Sequence, residues 1–285
     1  MPSDNTILTF HDDRWQSGSV PVMRSADHGS WLGTLVFDGA RQFEGVCPDL
    51  QAHCERVNQS ALSLGMNPTL ETAAIVERVH EGLAQFDKDA AVYIRPMYWS
   101  TGYGDGFISA DPESTDFCLC LQQIPMAAAD ASATLTTTRF HRPTLDVATV
   151  NAKAACLYPN NARMMREAVA KGFSNALVAD SMGNVAESAT SNVFMVRDGE
   201  VFTPMPNGSF LNGITRQRII GLLRESGEVV HEACLSFDDF HKADEVFLTG
   251  NLAKVTSVLA FDDTSYQAGP IAKRARAAYM DWART

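Results

Sequence analysis

Thr149-Val150-Asn151-Ala152-Lys153-Ala154-Ala155-Cys156-Leu157-Tyr158 sets a single cation among small and apolar residues, with a phenol five places on. A lysine in such surroundings is poorly solvated as an ammonium, so its pKa can fall until the neutral amine is available. A neutral amine condenses with an aldehyde, which makes Lys153 a candidate for the Schiff-base lysine that holds pyridoxal phosphate. The competing reading is a lysine whose stem lies along apolar surface while its head reaches water. The rest of the chain has to decide between them.

Downstream of this stretch, strand and helix patterns alternate. Asn160 to Lys171 has helical spacing and stops at Gly172, and Asn175 to Ala179 reads as a strand. Asn192 to Val196 and Val201 to Thr203 form a hairpin about Asp198-Gly199. A helix is expected from Ile214 towards Gly227, a strand at Val229 to Leu235, a short helix capped by Ser236, and a strand at Glu245 to Leu248. A basic amphipathic helix runs from Pro270 onward. Upstream, Leu50, Cys54, Val57, Ala61 and Leu64 recur at helical spacing before Gly65, and Ile75, Val79, Leu83 and Phe86 mark a second helix. Ala91 to Tyr98 is an apolar strand carrying Arg95, a charge that needs an anion to be tolerated there. These patterns predict an α/β (α+β) protein. We expect a small N-terminal domain over 1–122, a linker over 123–136 around Met126-Ala127-Ala128-Ala129-Asp130-Ala131-Ser132, and a large C-terminal domain over 137–285.

Composition narrows the function classes. The 285 residues are 45% hydrophobic and 20% charged, which suits a globular enzyme with ample core. A net charge of -11, with Lys and Arg scattered, argues against a nucleic-acid partner. The six cysteines show no zinc-like spacing and read as reduced core or near-core thiols of a cytoplasmic protein. Met1 to Asn5 opens no secretory signal, and no apolar run reaches the ~20 residues of a membrane span. We therefore expect neither a membrane nor a metal.

Further residues suit the same chemistry as Lys153. Glu187, just before an apolar strand, could keep a pyridine nitrogen protonated, although a turn glutamate is ordinarily solvated. Gly213-Ile214-Thr215 opens a helix whose N-terminal N–H groups and hydroxyl could seat a phosphate. Arg56, within the first helix, could turn inward to a phosphate instead of facing water.

Several blocks, in order and at matching intervals, then resemble the class IV, fold type IV, pyridoxal-phosphate aminotransferases, most closely the branched-chain amino acid group. They are Leu32 to Arg41, His53 to Arg56, Tyr93 to Pro96, the Lys153 and Tyr158 pair, Glu187 to Phe194, Gly213 to Arg216, and Asp244 to Gly250. The resemblance implies a two-domain fold of the D-amino acid aminotransferase-like type, with the active site between domains. It implies pyridoxal phosphate on Lys153, Glu187 at the pyridine nitrogen, and Tyr158 at the ring hydroxyl. Arg56, Ile214, Thr215, Gly250 and Asn251 would hold the phosphate, with Asn192 beside them. Tyr93, with backbone donors near Asn251 and Leu252, would take the α-carboxylate of the substrate. Arg95 would meet the second carboxylate of glutamate, while Phe37, Gly39 and Arg41 would line the side-chain pocket, partly from the neighbouring subunit. Tyr98 and Trp99 could add apolar walls or could equally be plain core packing. The expected reaction exchanges an amino group between branched-chain or similar amino acids and 2-oxoglutarate, in a homodimer or higher homo-oligomer. Two departures stand out: Leu32 where the family has an aromatic, and Asn251 where it has a hydroxyl residue. Both bear on substrate choice, so (R)-amine or D-amino acid transamination and aminodeoxychorismate lysis stay open. A non-catalytic α/β binding protein is the reading from another class.

Overall fold

Along Val92–Ser100, buried and half-buried residues alternate as far as Met97, the pattern of a strand with one face on a core and one accessible. The computed structural model, which describes residues 6–285, places this strand in the first of two units. The N-terminal reading of Met1 to Asn5 lies outside the described residues. The first unit holds the described residues up to Met126 together with Asn151–Cys156. Its elements are β1 (Ile7–His11), β2 (Arg14–Ser17), α1 (His28–Trp31), β3 (Leu35–Phe37), β4 (Ala40–Gln42), α2 (Leu50–Ser63), α3 (Thr72–Leu83), β5 (Val92–Ser100) and β6 (Thr115–Gln123). They build an antiparallel sheet in the order β2-β1-β6-β5-β3, with β4 also paired to β5.

The two helices cover one face of that sheet. Cys54, Val57 and Ala61 of α2 and Ile75 and Val79 of α3 are buried at helical spacing, and both helices pack on β5. Gly65 ends α2 with φ +76, as the sequence predicts. Gly82 permits the approach of α3, since a Cβ there would overlap the Trp15 and Leu121 side chains. Tyr98 and Trp99 are fully buried, with the Tyr98 hydroxyl at Leu70 O (3.3 Å) and the Trp99 indole N–H donating to Asp27 (3.1 Å). They are core residues, which decides between core packing and pocket walls: each ring already has packing and a polar partner within the unit.

The second unit holds Ala127–Val150 and Leu157–Thr285. It runs β7 (Ser132–Thr137), α4 (Tyr158–Ala170), β8 (Asn175–Ala179), β9 (Val185–Ser188), β10 (Asn192–Arg197), β11 (Glu200–Pro204), α5 (Ile214–Glu225), β12 (Val230–Ala233), α6 (Phe237–His241), β13 (Glu245–Gly250), β14 (Lys254–Phe261), β15 (Thr264–Ser265) and α7 (Pro270–Ala283). The sheet order is β12-β11-β10-β13-β14-β7-β8-β9, with β15 on β14. Parallel pairs are β11–β12, β7–β14 and β7–β8. Leu135, Val193, Leu248, Val258 and Phe261 lie in its core, under Phe240 of α6. α5 and α7 pack on β13, and α4 packs on β8. Ser236 and Asp239 close a capping box at the start of α6.

Two features differ from the sequence reading. β7 begins at Ser132, inside the stretch read as linker, because its pairing to β14 outweighs the local alanine-rich composition. The six cysteines are unbridged, but Cys156 and Cys234 are exposed rather than near-core.

Candidate active site

The accessible face of β5 carries Tyr93, Arg95 and Met97, and antiparallel register sets Arg41 opposite Tyr93 and Phe37 opposite Met97. The sheet pattern alone thus gathers four of the predicted substrate residues on one face. Gly39 completes the group, because a Cβ there would stand 2.7 Å from Tyr93 Cζ and closer still to its hydroxyl. Arg95 lies over the Tyr93 ring (5.2 Å to the centroid), with Gln122 Oε1 at 3.5 Å. Lys153 belongs to this unit as well. Its backbone N–H donates to Ser60 Oγ (3.1 Å), its carbonyl accepts from Phe37 N–H (3.1 Å), and Ala154 bridges Val36. Its Nζ stands 4.9 Å from the centre of the Phe37 ring, so an aromatic face lines the amine.

Arg41 lies deep beneath this face. Its side chain is fully buried, Nη2 donates to Ile124 O (2.5 Å), and among the described residues Nε and Nη1 have no partner. Burial lowers its pKa, offset in part by the neighbouring Tyr93. A buried guanidinium with unsatisfied donors calls for an anion more than for an apolar side chain.

Arg56 turns inward from α2 onto a buried carboxylate. Its Nε and Nη2 fork onto Asp38 at 2.6 and 2.9 Å, and His53 Nδ1 meets the same carboxylate at 2.6 Å. Burial alone would raise the pKa of Asp38, but Arg56 and His53 overcome it and hold the carboxyl well below the usual range. Asp38 also accepts from Gly39 N–H (2.7 Å), so this ion pair fixes the bend between Phe37 and Arg41. Asp38 carries no role in the sequence reading. The signal was present, since Arg56 stands at i,i+3 from His53 on one helix face and an inward guanidinium needs an anion.

In the second unit the central residue is Asn192. Its Nδ2 donates to Glu187 Oε2 (3.3 Å) and Leu211 O (3.1 Å), and its Oδ1 accepts from Gly213 N–H (3.2 Å). Gly213 caps α5 with no side-chain cap, and a Cβ there would overlap Asn192 Oδ1. Ile214 and Thr215 therefore begin a helix whose first N–H groups and positive dipole end suit an anion. Thr249 stands opposite Asn192 in the β10–β13 register, with its hydroxyl buried and without a partner among the described residues. Gly250 closes the strand, and Asn251 follows it. Glu187 is further gripped by buried Arg142 (Nε to Oε1, 3.1 Å), which keeps it an anion. Arg142 was missed, because Phe140-His141-Arg142-Pro143 has no period that marks it as inward. Tyr158 opens α4 and Leu252 follows Asn251; both are more than a third exposed. Together these residues offer an acceptor-only carboxylate, an anion-binding helix start and an unpartnered buried hydroxyl. That donor set fits a protonated pyridine bearing a phosphate.

Comparison with known proteins settles the family. The family model described as Amino-transferase class IV matches residues 35–261. The chain belongs to the class IV aminotransferases. This enzyme is similar to a putative branched-chain-amino-acid aminotransferase of Methanocaldococcus jannaschii, 32% identical over 263 residues, covering 90% of this chain and 89% of that one. Among solved structures, an aminotransferase from Brucella abortus bound to the co-factor PLP is 56% identical, with a TM-score of 0.96, covering 98% of this chain and 99% of that one. A branched-chain aminotransferase from T.th., complexed with N-(5'-phosphopyridoxyl)-L-glutamate, is 29% identical, with a TM-score of 0.89 and coverages of 97% and 93%. The mixed two-sheet fold is thus that of the fold type IV aminotransferases. Membership in an enzyme family sets aside the non-catalytic binding protein. No helix among the described residues is long and apolar enough to cross a membrane.

Proposed function

We propose that this aminotransferase uses pyridoxal phosphate to exchange the amino group between branched-chain or similar hydrophobic amino acids and 2-oxoglutarate. One observation carries the reading: Asn192 ties Glu187 to the head of α5. A pyridine with a phosphate arm has its ring nitrogen and its anion at a fixed separation, and a shared amide holds a carboxylate and a helix start at a fixed separation too. When bound, the cofactor supplies an aldehyde for amines and an electron-poor ring that accepts the electron pair released at the substrate α-carbon.

This chain's residues do the rest. Lys153, as a neutral amine, takes the α-proton and returns it one position away, with Phe37 shielding it from water. Glu187 keeps the ring nitrogen protonated, and Arg142 keeps Glu187 charged while it does so. Tyr158 meets the ring hydroxyl. Tyr93 and Arg41 take the α-carboxylate, which gives the buried guanidinium its anion. Arg95 takes the second carboxylate of glutamate; the glutamate adduct of the T.th. relative supports that donor. Ile214, Thr215 and Asn251 hold the phosphate, and Arg56 keeps its charge while held by Asp38. One keto acid leaves before the other enters, so initial rates follow ping-pong kinetics. The working form is a cytoplasmic homodimer or higher homo-oligomer.

The test begins with colour. Purified enzyme should be yellow, borohydride should fix a pyridoxyl group on Lys153, and Lys153→Ala should abolish L-leucine/2-oxoglutarate turnover. Turnover retained by Lys153→Ala would refute the mechanism. Inactivity on L-leucine beside activity on D-alanine or (R)-1-phenylethylamine would move the substrate class.

A further inference from the structure

Lys254 is fully buried, and its φ of +66 lies in the left-handed region. Its Nζ donates to Asn251 Oδ1 and stands 5.1 Å from the centre of the Tyr279 ring on α7. Arg276 on the same helix donates through Nη1 to Ala253 O (2.9 Å) and Val255 O (3.4 Å). The turn from Asn251 to Val255 is thus held from behind by α7. Glycine or asparagine would meet the backbone requirement of this turn without burying an ammonium. A lysine kept there at both costs points to something its charge does.

The charge decides the orientation of Asn251. A carboxamide has one acceptor end and one donor end, and it can be turned either way unless a neighbour fixes it. An ammonium has donors and no acceptor, so the end of Asn251 facing Lys254 must be Oδ1. The NH2 is then the far end. A phosphate dianion accepts hydrogen bonds and donates none, so it can use that end alone.

We propose that Lys254 is a positioning residue for the cofactor phosphate: it locks Asn251 as a donor where relatives are expected to use a hydroxyl. This rests on the reading of Asn251 as a phosphate ligand given above. A role confined to anchoring α7 through Tyr279 would leave phosphate recognition unchanged.

The test strips the full-length enzyme of its cofactor and titrates it with pyridoxal phosphate and with pyridoxal, which lacks the phosphate. Binding is read from absorbance and tryptophan fluorescence. Lys254→Met should weaken pyridoxal phosphate by roughly 10- to 100-fold, the range for one charge-assisted hydrogen bond, and leave pyridoxal within about 2-fold. In an Asn251→Ser background, where a hydroxyl donates without help, Lys254→Met should cost less than about 3-fold. Equal weakening of both ligands, or an equal cost in the two backgrounds, would overturn the proposal. Should Lys254→Met not fold, Asn251→Asp keeps a partner for the ammonium but removes the donor. It should lose pyridoxal phosphate selectively, and unchanged affinity would overturn the proposal as well. Failure of the parent reading looks different: borohydride would then fix no pyridoxyl group on Lys153 in the unmodified enzyme.

Discussion

Gly39→Ala tests the proposed carboxylate site apart from the fold. No positive φ marks Gly39, so the backbone accepts alanine, and the whole effect comes from one methyl group. That methyl would stand 2.7 Å from Tyr93 Cζ and 3.2 Å from Cε2, against about 3.5–4 Å for carbon atoms in ordinary contact. The phenol end must therefore retreat by roughly 1 Å. It cannot simply slide along the sheet, because Arg95 covers the ring and Arg41 flanks it across β4–β5. Misplacement of a positioning group by about 1 Å costs up to roughly 100-fold in rate. The expected result is a kcat/KM for L-leucine and L-glutamate lower by about 10- to 100-fold, with cofactor absorbance intact. Stability should stay within roughly 2 kcal/mol, since overpacking and the reduced entropy of the unfolded chain oppose each other. Steady-state kinetics with a thermal melt measures both. Unchanged kcat/KM with a depressed melting temperature would refute the argument, because the glycine would then serve packing and not the hydroxyl.

Arg41→Met should raise KM for amino donors by about 10-fold or more and stabilise the protein by about 1 kcal/mol, since a buried charge with unmet donors is removed; a normal KM with lower stability would contradict this. Asp38 stays ionised in the folded state to lower pH than in the unfolded chain, where it titrates near about 3.9. Its contribution is complete above that value and lost as pH falls through and below it. The stability difference between wild type and Asp38→Asn, measured by urea melts, should therefore shrink below about pH 4, whereas a constant difference from pH 7 to pH 3 would count against the pairing. In the native protein Cys156 and Cys234 should react with a thiol reagent ahead of Cys54 and Cys118, whose thiols burial pushes up to about 12. Mass mapping of the labelled peptides would read the order.

Periodicity made α2, α3 and α5 legible, because each helix buries one face of its own sequence, whereas the Asp198-Gly199 turn marked the β10–β11 hairpin, whose first strand is buried on both faces. The Ser236 cap was readable for a local reason too, a side chain bonding three residues on. What stayed hidden depends on partners far along the chain. β14 pairs with β7 across more than a hundred residues, and Ala154 bridges Val36, so neither neighbour is written in the local pattern. The site divides in the same way. Tyr93, Arg95 and Arg41 follow from strand alternation once register is known. Asp38 and Arg142 emerge only when the residues they neutralise are seen against them.

The second unit controls charge with neutral amides, and the choice has consequences. Asn192 faces Glu187 with its donor end and the Gly213 N–H with its acceptor end. Asn251 faces Lys254 with its acceptor end. In both cases the ionic neighbour removes the ambiguity of the carboxamide, so one residue type serves opposite polarities. An aspartate at 192 would set a second carboxylate beside Glu187 and push a proton onto one of the two. A carboxyl that holds its own proton no longer pairs with a ring nitrogen. Asn192→Asp should therefore weaken the long-wavelength absorbance of the protonated cofactor and lower turnover, even where the fold survives. Asn192→Asp with an unchanged spectrum and rate would mean that Glu187 is ionised by Arg142 alone, and that the amide matters only for seating α5.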